Sequence, residues 1–183
     1  VSDDILLQQI AEGDTQAFGK LVVRYQRRLV RFAERMLGEA DTAQDVAQET
    51  FLRLWRVRSR GPVQGSLDCY LLRIARNLCL DYLRARHATE SLDAKAELLP
   101  TTGGGLTNSV QAKALAEAVR RGVQALPEPQ RAIFILSHYE ELSYKEIAEI
   151  VGCPVGTVAS RKYQAVETLR RRLKPWIEGE ARI

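Results

Sequence analysis

Apolar residues recur along this chain at three- and four-residue spacing, the period of a helix with one buried face. The clearest run is Phe18, Leu21, Val22, Tyr25, Leu29, Phe32, Ala33, Met36 and Leu37. Asp14 or Thr15 can cap its start, and Gly38 follows its end. A short helix opening at Asp3 or Asp4 precedes it and stops at Gly13. Asp41 can cap a third, with Val46, Ala47, Thr50, Phe51 and Leu54 turned inward. After a break containing Gly61, Pro62 and Gly65, Ser66 can cap a fourth, carrying Leu67, Leu71, Ile74, Ala75, Leu78 and Tyr82. Further on, Gln111 to Ala125 and Glu128 to Tyr139 read as two more, joined at Leu126 to Pro129. No stretch alternates with period two for long enough to be a strand. The pattern predicts an all-α protein.

The most informative stretch is Leu142–Arg161, LSYKEIAEIVGCPVGTVASR. Ser143 with Glu146 three residues on is the pattern of a capping box, in which each side chain bonds the other's backbone amide. Ile147, Ala148 and Val151 follow at helical spacing, and Gly152 ends the helix. Cys153 and Pro154 form a tight turn. A second helix starts near Val155 or Gly156 and runs to about Leu173 on the stripe Val158, Ala165, Val166, Leu169 and Leu173. A short helix, a glycine turn and a longer basic helix make a DNA-reading helix-turn-helix. Thr157, Ser160 and Arg161 occupy the first turns of the second helix, where such a helix reaches base edges. Lys162, Arg170, Arg171, Arg172 and Lys174 add cations against the single Glu167. The distal ones are explained equally well by phosphate contact and by complementing the helix dipole.

Composition sharpens the division of the chain. The 183 residues carry 27 basic and 23 acidic side chains, net +4, so position matters more than the total. Residues 1–87 are net +3, residues 88–110 net −2, and residues 111–183 net +3. Residues 88–110 contain Pro100 and Gly103, Gly104 and Gly105 with little helical periodicity, which is linker chemistry. No lysine follows those glycines at phosphate-loop spacing, and no strand precedes them. The three cysteines, Cys69, Cys79 and Cys153, form no Cys-x-x-Cys pair and are expected to be buried thiols in a reducing compartment. The longest apolar runs fall far short of a membrane span, so no membrane insertion and a cytoplasmic location are expected. His87 and His138 are isolated, and Asp45 with Glu49 lacks a further ligand. No catalytic residues, metal site or cofactor are expected.

Four segments stand together in order: Asp41–Trp55 (DTAQDVAQETFLRLW), Leu71–Asn77 (LLRIARN) with Asp81 and Leu83, Leu126–Arg131 (LPEPQR), and Glu146–Glu149 (EIAE) with Gly156–Arg161 (GTVASR). In these the chain resembles the extracytoplasmic-function (ECF, group 4) sigma factors of bacterial RNA polymerase, members of the sigma-70 family. The resemblance covers nearly the whole chain. It implies two helical bundles: a sigma-two domain over 1–87, a flexible linker over 88–110, and a sigma-four domain over 111–183. The first would bind the β′ clamp helices of core polymerase and the promoter −10 element. The second would bind the β flap and the −35 element. Relatives are usually held inactive by an anti-sigma factor.

Residue by residue, the resemblance places polymerase docking on Asp45, Gln48, Glu49 and Leu52, which share one helix face. It places −10 contacts on Tyr70, Arg73, Arg76, Asn77 and Arg84, a mixture of cations, an aromatic plane and an amide that suits unstacked single strands. The loop of about Ser59 to Ser66 would hold a flipped −10 base. Contacts to −35 fall on Thr157, Ser160, Arg161 and Lys162. Two departures from the family pattern matter. Tyr70 stands where relatives often carry tryptophan, and Gln164 and Val166 replace arginines usual in the recognition helix. A stand-alone helix-turn-helix regulator and a sigma-like decoy for an anti-sigma factor are the competing functions.

Overall fold

The structure, a computed structural model, describes residues 2–59, 65–90 and 108–178. Every regular element among them is a helix: α1 (Asp3–Ala11), α2 (Thr15–Leu37), α3 (Ala40–Val57), α4 (Leu67–Glu90), α5 (Asn108–Gln124), α6 (Glu128–His138), α7 (Tyr144–Val151) and α8 (Val155–Ile177). Local chemistry sets the ends. The Asp14 carboxylate accepts from the amides of Gln16 and Ala17 at 2.7 and 3.0 Å, and Gly38 closes α2 in the left-handed region at φ 80°. Helix α7 carries the full capping box: Ser143 Oγ accepts from Glu146 N–H, and the Glu146 carboxylate accepts from Ser143 N–H at 2.8 Å.

Three boundaries differ from the sequence expectation. Helix α3 begins one residue before Asp41, which lies in its first turn rather than at its cap. Asp41 does not cap the helix; its carboxylate instead complements the positive end of the helix dipole. Helices α4 and α5 reach Glu90 and Asn108, taking in both ends of the stretch assigned to the linker. The rest of that linker, 91–107, lies outside the described residues, as does the loop core at 60–64. Helix α8 runs through Pro175 to Ile177, past the expected end near Leu173.

Helices α1–α4 contribute Leu21, Phe32, Met36, Leu71 and Leu72 to the buried core and α5–α8 contribute Leu126, Ile133, Ile147 and Val158, and the buried residues of both bundles form one cluster. The bundles are packed together, α2 against α5 and α6, and α4 against α7. Polar contacts add to this apolar packing at the junction. Arg131 of α6, 8% exposed, donates to the carbonyls of Gln124 and Leu126 in its own bundle and to Met36 O of α2 at 2.7 Å. Gln124 Nε2 donates to Arg35 O. Two of the carbonyls left over at the end of α2 are thus satisfied by the second bundle. Arg28 sits between Asp68 of α4 (2.6 Å) and Glu140 beyond α6 (2.7 Å), whose side chain is only 6% exposed.

Candidate polymerase and nucleic-acid interfaces

Helix α3 buries Val46, Ala47, Thr50, Phe51 and Leu54, which leaves its opposite side in solvent. Asp45 and Gln48 are exposed there and Leu52 is 47% exposed, an apolar residue on a polar face. Glu49 joins the same face but is engaged by the chain itself, meeting Arg53 at 3.2 Å and Arg56 at 3.1 Å. These are surface pairs of small energetic worth, so they orient the carboxylate without consuming it. Helix α2 backs α3 through Phe18, whose ring lies 4.9 Å from that of Trp55.

Helix α4 presents Tyr70 and Arg73 one turn apart, the Arg73 guanidinium 5.4 Å from the Tyr70 ring centre. Tyr70 is half-buried against the core, while Arg73, Asn77 and Arg84 are exposed. Arg84 pairs with Asp81 at 3.4 Å and Arg76 donates to Asn77 at 3.0 Å. Arg76 is the exception in this set. It is half-buried, its Nε lacks a hydrogen-bond partner, and its pKa is lowered first by burial and then by the Arg84 cation, with Arg161 also disfavouring its charge. Cys153 and Glu128 act the other way. Helix α4 packs against α7, so the expected −10 and −35 surfaces lie on adjoining elements.

In the second bundle Val158 is fully buried and seats α8 against α7, while Ser160 is exposed and Thr157, Arg161 and Lys162 are half-buried. Ser160 Oγ donates back to Thr157 O at 3.1 Å, and the Lys162 ammonium lies 5.1 Å from the Tyr144 ring centre. Gln164 accepts from Gln130 Nε2 at 3.1 Å, which gives it a part in joining α8 to α6. Tyr163, 68% exposed, was passed over in the sequence, where an aromatic in an amphipathic helix reads as core. The distal cations lean on local acceptors, Arg170 on Glu167 at 3.1 Å and Lys174 on Glu178 at 3.7 Å, both in exposed pairs. Cys69 and Cys79 are buried as expected; Cys153 is half-exposed at the turn, because it sits where α7 ends and the chain reverses. No group of three or more potential metal ligands occurs among the described residues, and no described helix is long and apolar enough to cross a membrane.

Two small helical bundles, one with an exposed α3 face beside a cation-aromatic α4 and one ending in a helix-turn-helix, define a two-domain DNA-binding transcription factor. Family models agree on both halves: sigma-70 region 2 matches residues 21–89, and sigma-70 region 4 matches residues 116–169. The chain is 33% identical to the ECF RNA polymerase sigma-E factor of Escherichia coli K12, over 97% of each chain. It is 31% identical to the ECF RNA polymerase sigma factor SigW of Bacillus subtilis, over 92% of this chain and 95% of that one. Among solved structures it is similar to CnrH in complex with the cytosolic domain of CnrY, with TM-score 0.72 and 25% identity over 94% of this chain and 97% of that one. The fold also matches the sigma factor RpoE of Bartonella quintana in complex with the anti-sigma factor NepR, with TM-score 0.66, 24% identity, and 86% and 96% coverage. The chain belongs to the ECF group of the sigma-70 family.

Proposed function

We propose that this chain directs core RNA polymerase to promoters through three faces. The exposed side of α3, with Asp45, Gln48, Glu49 and Leu52, docks on the β′ clamp helices. Tyr70, Arg73, Arg76, Asn77 and Arg84 of α4 hold the melted −10 strand. Thr157, Ser160, Arg161 and Lys162 of α8 read −35 duplex, with the second bundle on the β flap. The chain performs no chemistry in this scheme; the polymerase does. The observation that carries the reading is the pairing, within one bundle, of an exposed acidic-polar α3 face with the aromatic and cationic α4 face. A duplex-only regulator has no use for either.

The packed arrangement of the bundles is read as the promoter-free state. Elements centred about 25 base pairs apart at ~3.4 Å each are separated by about 85 Å. The packing of α4 on α7 brings the two expected DNA faces onto adjoining elements, far short of that span. An anti-sigma factor, like the partner in the RpoE–NepR complex, would hold the closed arrangement.

Run-off transcription with core polymerase on a promoter library tests the proposal. Transcription initiated from a defined −35/−10 pair is expected. DNA binding without any core-dependent transcript would support a stand-alone regulator, and neither activity would support a decoy.

A further inference from the structure

Two cavities run along α2 where the second bundle lies on it, and they share Arg31, Arg35 and Tyr139. One, about 440 Å³, is cationic: five arginines of α2 face Tyr139, Glu140 and Glu141. The other, about 330 Å³, has Ala116, Val119 and Val123 of α5 along its apolar side, with Glu34, Arg120 and Gln124 completing its rim. Each is of the size that takes a small molecule, in the range of roughly 300–1,000 Å³.

The cationic half is not neutralised from within. Arg24 is paired with Asp3, and Arg28 with both Asp68 and Glu140. Arg35 stands 4.0 Å from Glu140 and 4.3 Å from the centre of the Tyr139 ring. Glu140 is thus already engaged by two cations, and Glu141 is exposed. Arg27 and Arg31 remain: both are exposed, one helical turn apart, and neither has a partner among the described residues. Like charges one turn apart weaken a helix. A multiply charged anion lying along them would reverse that effect, because each guanidinium fork matches a phosphate.

We propose that this two-part cleft binds a nucleoside polyphosphate. The phosphates lie on Arg27 and Arg31, and the nucleoside enters the apolar half beside Val119, passing Arg35 and Tyr139. The apolar half is what favours a nucleotide over a bare polyphosphate. Both halves take walls from α2 and from the second bundle, so the site exists only in the closed arrangement and the ligand stabilises it. This does not depend on which residues contact promoter DNA.

The test is calorimetric titration of the full chain at about 0.15 M salt, where exposed charge is well screened, with GTP, ATP, tripolyphosphate and hexaglutamate as probes. A nucleoside triphosphate is expected to bind at one site, about tenfold or more tighter than tripolyphosphate. Arg27→Ala with Arg31→Ala should weaken it about tenfold or more, whereas Arg170→Ala with Arg172→Ala, which removes equal charge from α8, should change it less than about twofold. Ala116→Trp should weaken the nucleotide and leave tripolyphosphate unchanged. Melting curves establish that each variant is folded. Absence of saturable nucleotide binding overturns the proposal. So does equal loss in the two double variants, which means nonspecific charge, or tighter binding of hexaglutamate, which assigns the cleft to an acidic peptide.

Discussion

Arg131→Met isolates the polar contacts between the bundles. Methionine keeps most of the arginine stem, so packing is largely retained and the hydrogen bonds are lost. The guanidinium bonds three backbone carbonyls, Gln124 O, Leu126 O and Met36 O, and more loosely the Gln124 side-chain oxygen at 3.4 Å. Charge-assisted bonds contribute about 1.5–3 kcal/mol each, which gives a gross loss of about 4.5–9 kcal/mol. Against this stands the burial of the cation, which lowers its pKa, and an Nε with no partner of its own. Replacing a buried charge by an apolar isostere recovers several kcal/mol of that desolvation. The net expectation is destabilisation by about 3 kcal/mol, measured by urea denaturation, with a larger radius of gyration in solution scattering because the Met36 bond joins the bundles. A loss under about 1 kcal/mol with unchanged radius would refute the reasoning.

Four further outcomes are expected. Asp45→Arg should weaken the binding of core polymerase about tenfold or more without moving the melting temperature; unchanged affinity in a pull-down would sink the docking assignment. Arg161→Ala should reduce −35-dependent binding and spare open-complex formation on a fork template, and equal loss on both would mean that the helix had been misplaced. Ser143→Ala should cost about 1 kcal/mol of stability through the lost cap. Its effect should depend on pH, because bonds from Ser143 hold the Glu146 carboxyl below its ordinary 4.5. A lowered carboxylate stabilises above the unfolded value, so the cap's contribution is complete at neutral pH and fades as pH falls below about 4.5. A pH-independent difference between the proteins would contradict this. Burial pushes the Cys79 thiol up to about 12, so iodoacetamide should alkylate half-exposed Cys153 first and reach Cys79 only on unfolding, as mass spectrometry can follow; early labelling of Cys79 would mean that the core around it is looser than described.

The helices were legible because their signals are local. Asp14, Gly38, the Ser143–Glu146 box and the apolar stripe of α2 each act within one or two turns, and each is where the pattern placed it. The helix-turn-helix and the exposed α3 face were legible for the same reason. The packing of one bundle on the other was not, because it uses backbone carbonyls and side-chain geometry. Nothing in the letters LPEPQR says that Arg131 reaches the end of α2, 95 residues away in the chain. Arg76 shows the same limit. Its spacing with Tyr70, Arg73 and Asn77 gave the α4 face, yet its burial follows only from the three-dimensional arrangement. Gln164 reads as a lost cation, and the structure adds an exposed hydrogen bond from Gln130 of α6 that no pattern in the sequence announces.

The chemistry of the junction bears on how the protein is switched. An apolar interface would cost too much to open, and a solvated one would not hold. Here apolar packing of α4 on α7 is combined with a few buried hydrogen bonds and one arginine shared by Asp68 and Glu140. If opening costs about 3 kcal/mol, the open form is about 0.6% of the population, and affinity for any partner that requires it falls about 160-fold. A polymerase contact of nanomolar strength is worth about 12 kcal/mol and tolerates that loss. A weak encounter with isolated promoter DNA does not. On that figure the free chain would bind isolated promoter DNA weakly and remain competent on core polymerase, and a ligand that adds a contact across the α2 cleft would deepen the bias.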